Sequence, residues 1–185
     1  MKDEISMLTS LIEYLEANNS FEFIAREVPF CYGLRRADLV TGDKSSFNTT
    51  AYEVKSDSDN LMKLEEQLKD YKEVFNHVYV VTTKKHLENV RKVGLWFGII
   101  IIDDNKKVSL LRKPRFRSKL NLSKIRSSMV KNIKSSENIH EAFSEWLKQR
   151  YVPLYEIFKK EKNKHSIDAH DLQILSLRDV NLKKI

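Results

Sequence analysis

A chain of 185 residues that is 41% apolar and 32% charged is long enough to bury a core of its own and too apolar to remain a disordered polymer. A single cysteine excludes an intrachain disulfide and a cysteine-built zinc cluster, and four glycines leave no room for a glycine-rich phosphate loop. The N-terminus carries acids where a secretory leader would be basic, and the longest apolar stretch, 95–102, falls far short of the roughly 20 residues that cross a bilayer, so a cytoplasmic protein with no membrane association is expected.

Along the chain, Ile5, Leu8, Leu11, Ile12 and Leu15 recur at helical spacing and predict a first helix from about Glu4 to Ala17. A strand follows around 24–31, with Pro29 marking an edge position or a strand end. R-A-D-L-V (36–40) and A-Y-E-V-K (51–55) read as strands two and three. The Gly42, Asp43 and Ser/Thr/Asn cluster between them reads as the turn of a hairpin. A second helix is expected over 59–75, with Asp59 as its N-cap and Leu61, Leu64, Leu68, Tyr71 and Phe75 on its buried face. A strand at 78–82, a short helix at 84–93, a buried strand at 97–102 and a last strand at 108–111 complete the order α-β-β-β-α-β-α-β-β, a core domain of residues 1–111. Residues 112–185 form a basic segment and a helical extension expected to pack on that core. Ser136 suits an N-cap, Ile139, Phe143, Trp146 and Leu147 lie at core spacing, the aromatic stripe continues past a kink at Pro153, and 166–177 is again amphipathic. That helical face suits packing on the sheet or on a second copy, so a homodimer is an open possibility.

Charge is unevenly placed. From Asn105 to Ser136 there are eleven Lys or Arg and no acid, so the net +7 less these eleven leaves −4 on the rest of the chain. A cationic block beside an acidic body suits a polyanion, because neutralising phosphates releases their counterions. Nucleic acid is the simplest such partner. The expected contacts are Lys106, Lys107, Arg112, Lys113, Arg115, Arg117 and Lys119. Phe116 suits either stacking on a base or anchoring its loop to the core. Arg35 and Arg36 suit either a phosphate clamp or a solvent-facing pair at a strand start.

The chemistry concentrates between Asp38 and Tyr71. Two carboxylates on neighbouring strands offer oxygen ligands to a hard divalent cation, and strand alternation puts Glu53 and Lys55 on one face while Tyr52 and Val54 take the other. Gln67 and Tyr71, four residues apart, share one face of the following helix. The five histidines are scattered without the paired spacing of a zinc hydrolase, and His165 and His170 fit a solvated face.

Asp38, Glu53 and Lys55 resemble the D…E-x-K signature of the PD-(D/E)XK nuclease superfamily, with Ala37 in place of the proline. Gln67-Leu-Lys-Asp-Tyr71 is similar to the Q-x-x-x-Y motif of its RecB-like branch, and the string G-L-R-R-A-D-L-V…A-Y-E-V-K-S-D resembles the Sce-type family of small bacterial and phage proteins. The resemblance covers about 20–102. It implies an α/β fold with a restriction-endonuclease-like αβββαβ core on a mixed central sheet. It also implies Mg²⁺ or Mn²⁺ held by Asp38, Glu53 and the Val54 backbone carbonyl, with Glu16 of the first helix as a further acid. In that scheme Lys55 stabilises developing charge, Gln67 positions it or the substrate, and Tyr71 touches the substrate backbone. The expectation is a metal-dependent nuclease acting on DNA rather than RNA. The alternative is a nuclease-fold protein that binds nucleic acid, or regulates, without cutting.

Overall fold

The computed structural model describes residues 3–18, 20–129, 138–162 and 166–177. Six strands form one mixed sheet in sequence order: β1 (Phe21–Phe30), β2 (Arg35–Asp43), β3 (Thr49–Lys55), β4 (His77–Thr82), β5 (Gly98–Ile102) and β6 (Val108–Arg112). The pairs β1–β2, β2–β3 and β5–β6 are antiparallel; β3–β4 and β4–β5 are parallel. Helix-bearing crossovers make the parallel pairs possible: α2 (Leu64–Val74) links β3 to β4 and α3 (Leu87–Val93) links β4 to β5. β5 is buried at all five positions, as a parallel strand covered on both faces must be.

The helices cover the sheet in two layers. α1 (Glu4–Asn18) contacts β3, β5 and β6, and buries Met7, Leu8, Leu11, Ile12 and Leu15. α2, α4 (Leu122–Ser128) and α5 (Ile139–Lys162) form the other layer, with α5 against β1 and β2. Aromatic contacts join that layer: Phe30 meets Tyr71 and Phe75 edge-on at 5.1 and 5.3 Å, and Phe75 reaches Phe143 of α5 at 6.3 Å. α6 (Ala169–Ile174), opened by a capping box between Asp168 and Asp171, closes the free edge of β1 through the Arg26 N–H donating to the Leu175 carbonyl at 2.8 Å.

Between β6 and α4 the basic segment runs as a strap under the N-terminal ends of the parallel strands. Arg115 and Arg117 donate their backbone N–H groups to the carbonyls of Trp96 and Asn76, and Asn121 to that of Glu73, at 2.8–3.0 Å. Asn76, 1% exposed, fastens three pieces together. Its Nδ2 donates to the Arg117 carbonyl at 3.0 Å, while its Oδ1 accepts from Thr49 N at 2.9 Å and from His140 Nε2 at 2.9 Å. The tautomer of His140 is thereby set with its proton on Nε2.

Several boundaries differ from the sequence expectation for local reasons. β1 begins at Phe21, three residues early, because Phe21 and Phe23 are still paired to β2 across a bulge. α2 begins at Leu64 and not near Asp59. The Asp59 carboxylate caps no helix; it accepts from both N and Oγ of Ser56, at 2.7 and 2.6 Å, and closes a turn at the end of β3. α3 starts at Leu87 after a tighter turn at 84–86. α4 has no counterpart in the expected elements, and Asn121 marks its start by accepting from the N–H groups of Ser123 and Lys124. Pro29 lies on the edge strand β1, and Pro153 sits inside a continuous α5. The N-cap assigned to Ser136, together with Lys131, Lys134 and His165, lies outside the described residues. Among the described residues no helix is long and apolar enough to cross a membrane.

Candidate functional site

The site is built where the antiparallel and parallel halves of the sheet meet. The β2–β3 ladder ends at the pair Leu39–Tyr52, which leaves Asp38 beside Glu53 on the face covered by α2. Past the end of the ladder, Asp38 Oδ2 accepts from the Val54 N–H at 2.7 Å, replacing the missing strand bond with a charge-assisted one. The N–H and carbonyl of one strand residue point to the same edge, so the Val54 carbonyl is also turned toward β2. Lys55 faces the other way, its carbonyl accepting from Thr82 Oγ1 at 3.0 Å.

Glu53 is 1% exposed and both its oxygens are engaged. Oε1 lies 2.6 Å from Lys55 Nζ, and Oε2 accepts from the Tyr71 hydroxyl at 2.5 Å. The same hydroxyl lies 3.1 Å from the Arg36 carbonyl. Burial and the neighbouring negative charge of Glu53 hold the Asp38 carboxyl well above the usual carboxylate range, against the pull of the Val54 N–H and of Lys55. Burial opposes the charge on Lys55, yet the charge and hydrogen bond of Glu53, with Asp38 behind it, outweigh that cost and raise its pKa. Lys55 is therefore a standing cation and unsuited to act as a base near neutrality.

Asp38, Glu53, Lys55 and Tyr71 thus come together as a cluster in which Glu53 and Tyr71 are buried and Asp38 and Lys55 half-buried. Gln67 lies one turn before Tyr71 on α2, half-buried, and its side chain makes no hydrogen bond among the described residues. Tyr71 departs from the expectation that it touches a substrate: it is fully buried, so its hydroxyl acts on Glu53. Glu16 is also elsewhere. Its carboxylate accepts from the Tyr155 hydroxyl at 2.9 Å and pairs with Lys162, both on α5. The α1 acid whose charge reaches Asp38 is Glu4, in the first turn of that helix. Periodicity alone could not choose between Glu4 and Glu16, because the direction of α1 across the sheet is a long-range property. Glu16→Ala is accordingly expected to lower the melting temperature by breaking the α1–α5 link while leaving any cleavage rate unchanged, as thermal scans and a cleavage assay on one preparation would register.

Several expected phosphate contacts are committed to the fold. Arg35 pairs with Glu66 and, at 2.7 Å, with Asp70, so it staples β2 to α2. Arg112 donates Nε to the Phe97 carbonyl at 2.8 Å and a terminal nitrogen to the Gly94 carbonyl at 2.7 Å. Arg117 donates Nε to the Lys72 carbonyl at 2.7 Å. Lys106, Lys107, Lys113, Arg115 and Lys119 are exposed. The Arg117 N–H donates to the carbonyl of Asn76, whose own N–H donates to the Thr49 carbonyl at the first residue of β3, whereas the carboxylates lie toward the C-terminal end of the sheet's parallel strands. The strap and the cluster therefore occupy opposite rims of the sheet.

The atoms of the cluster that could ligate an ion are oxygens only, and burial followed by the neighbouring Glu53 charge raises the Asp38 pKa, a cost that a hard divalent cation would relieve. Among the described residues no group of three or more His, Cys, Asp and Glu is gathered, so such an ion would rest on two side-chain carboxylates and backbone oxygen. An acid whose folded-state pKa lies above its unfolded value contributes stability that is complete below the unfolded value and lost as pH rises through the folded one. Asp38→Asn removes that loss and can keep the Val54 hydrogen bond. Calorimetry is expected to show the variant melting above the parent at about pH 7.5. The gap should close at a pH below the ordinary aspartate pKa.

These features define an α/β protein whose mixed six-stranded sheet carries a partly buried carboxylate–lysine–tyrosine cluster at one rim. The chain belongs to the bacteriophage P4 protein cII family, whose model matches residues 1–132. Protein cII of Enterobacteria phage P4 is 33% identical over 118 residues, 60% of this chain and 44% of that protein, so the chain spans less than half the length of this relative. Among solved structures, the SPO1766 protein of unknown function from Silicibacter pomeroyi superposes with a TM-score of 0.56 at 10% identity, covering 88% of this chain and 94% of that one. That likeness concerns the fold alone.

Proposed function

We propose that this protein is a metal-dependent nuclease of the PD-(D/E)XK type with a restriction-endonuclease-like core, acting on DNA in the cytoplasm. The observation that carries the reading is the convergence of Asp38, Glu53 and Lys55 on one face of β2 and β3, with Tyr71 bonded to Glu53. Asp38, Glu53 and the Val54 carbonyl would hold Mg²⁺ or Mn²⁺. Such an ion, when bound, supplies Lewis-acid polarisation of a phosphoryl oxygen and acidifies a water. Lys55, kept cationic by Glu53, sets a positive charge where charge develops on the scissile phosphate. Tyr71 fixes the orientation of Glu53 from behind, and half-buried Gln67, one turn earlier on α2, would position Lys55 or the substrate.

A second reading has its own support. Both Glu53 oxygens are already taken, by Lys55 and Tyr71, which suits a nucleic-acid-binding or regulatory protein that does not cut. Incubation of the purified chain with plasmid, linear and single-stranded DNA and with RNA, in Mg²⁺, Mn²⁺ or EDTA, separates the two. Cleavage that needs metal and fails in Asp38→Asn supports the nuclease; salt-sensitive binding without cleavage in any metal supports the binder.

A further inference from the structure

The hairpin joining β1 to β2 has an uncommon backbone. Cys31, Tyr32 and Gly33 have φ of 49°, 60° and 76°, and the first two are side-chain-bearing residues in a conformation they rarely adopt. Such a turn persists only where its surroundings hold it. Here the Gly33 and Leu34 N–H groups donate to the carbonyls of Phe30 and Cys31, and the Cys31 N–H donates to Ser128 Oγ of α4 at 3.1 Å. The outcome is a stiff tip that presents Tyr32, 75% exposed, and Leu34, 81% exposed.

Tyr32 forms one wall of a cleft of about 340 Å³ whose other walls are Leu122, Ser123, Arg126 and Ser127 of α4. A flat ring, a guanidinium, an aliphatic side chain and two hydroxyls make a set suited to the face and edges of a nucleobase. The acids nearby are already matched: Glu66 and Asp70 by Arg35, and Asp70 and Glu73 by Lys124. Exposed Arg126 is left as a cation of the cleft. The tip also stands at the same rim as the carboxylates, because β2 runs antiparallel to β3, and Leu34 is four residues from Asp38 along the strand. At about 3.3 Å per residue that is about 13 Å, or about four nucleotides at 3.4 Å each.

We infer that Tyr32 and Arg126 form a base-stacking subsite, and that the substrate class of the site is DNA with unpaired nucleotides, a single strand or a frayed end. The inference rests on the nucleic-acid reading above and names its substrate. A base inside a duplex is stacked on both faces and offers none to Tyr32, whereas an unpaired base does.

Fluorescence anisotropy in EDTA, with a labelled single strand and a labelled duplex of equal length, tests it without any cleavage step. Tyr32→Ala should weaken the single strand by about 5–150-fold, the loss of one stacked base, and leave the duplex unchanged. Tyr32→Phe should bind as the parent does, and the emission of Tyr32→Trp should be quenched by the single strand, which also reports that the tip is folded. Equal losses for both DNAs, no loss for either, or no quenching in a folded Tyr32→Trp would overturn the subsite; the last two results would leave the tip to a protein partner. Because no metal is present, a chain that never cuts DNA can still pass this test, and a chain that cuts can still fail it.

Discussion

Lys55→Met is expected to reduce metal-dependent DNA cleavage by about 10²–10³-fold, the usual cost of removing one pre-aligned charge from a transition state. Methionine has a similar length and no charge, so the change tests the ammonium and not the packing. It also leaves Glu53 buried with the Tyr71 hydroxyl as its remaining hydrogen-bond partner. Breaking a buried ion pair from one side costs about 3–5 kcal/mol. The double variant Glu53→Gln, Lys55→Met removes both charges and should recover most of that stability without recovering cleavage. Thermal scans beside a cleavage assay distinguish these effects. A folded Lys55→Met protein that cuts at the parental rate would take the ammonium out of the mechanism.

The largest effect on folding is expected from Asn76→Ala. Its side chain satisfies the Thr49 N–H, the Arg117 carbonyl and His140 at once, from a position that is 1% exposed. Each buried group left unmatched costs about 1–3 kcal/mol, and allowing for relaxation the total should be about 3–5 kcal/mol. At about 2–4 °C per kcal/mol the melting temperature should fall by about 6–20 °C. The strap should loosen with it, so proteolysis within 113–119 is expected to accelerate more than elsewhere. A variant that melts within about 2 °C of the parent would mean that water replaces the amide without loss.

Much of the fold is legible from periodicity. The apolar spacing of Leu8 to Leu15 predicts one helix and its buried face, which the structure bears out although Ile5 stays exposed; the alternation through Ala51–Lys55 predicts a strand, but both of its faces are covered. What local pattern could not supply depends on contacts far apart in the chain. The strap is held by partners 41 and 45 residues away, Asn76 and Lys72, and nothing in R-K-P-R-F-R states that Arg112 and Arg117 serve carbonyl groups of the core. α4 is seven residues long inside a basic run, too short for periodicity to signal, although Asn121 carried its capping signature. Within the site, alternation placed Glu53 and Lys55 together, but not the burial that turns Tyr71 from a surface contact into the group that holds Glu53. The positive-φ tip at Tyr32 is the opposite case, since neither cysteine nor tyrosine advertises a left-handed turn.

The placement of the strap and the acidic cluster at opposite rims gives the molecule a built-in length scale. The seven residues of β3 span about 20 Å from the end nearest the strap to the end that bears Lys55, equal to about six steps along a nucleic-acid strand. A shorter oligomer could engage the carboxylates or the cations but not both, and only a longer one, laid along the flank of the sheet, would draw on the two together.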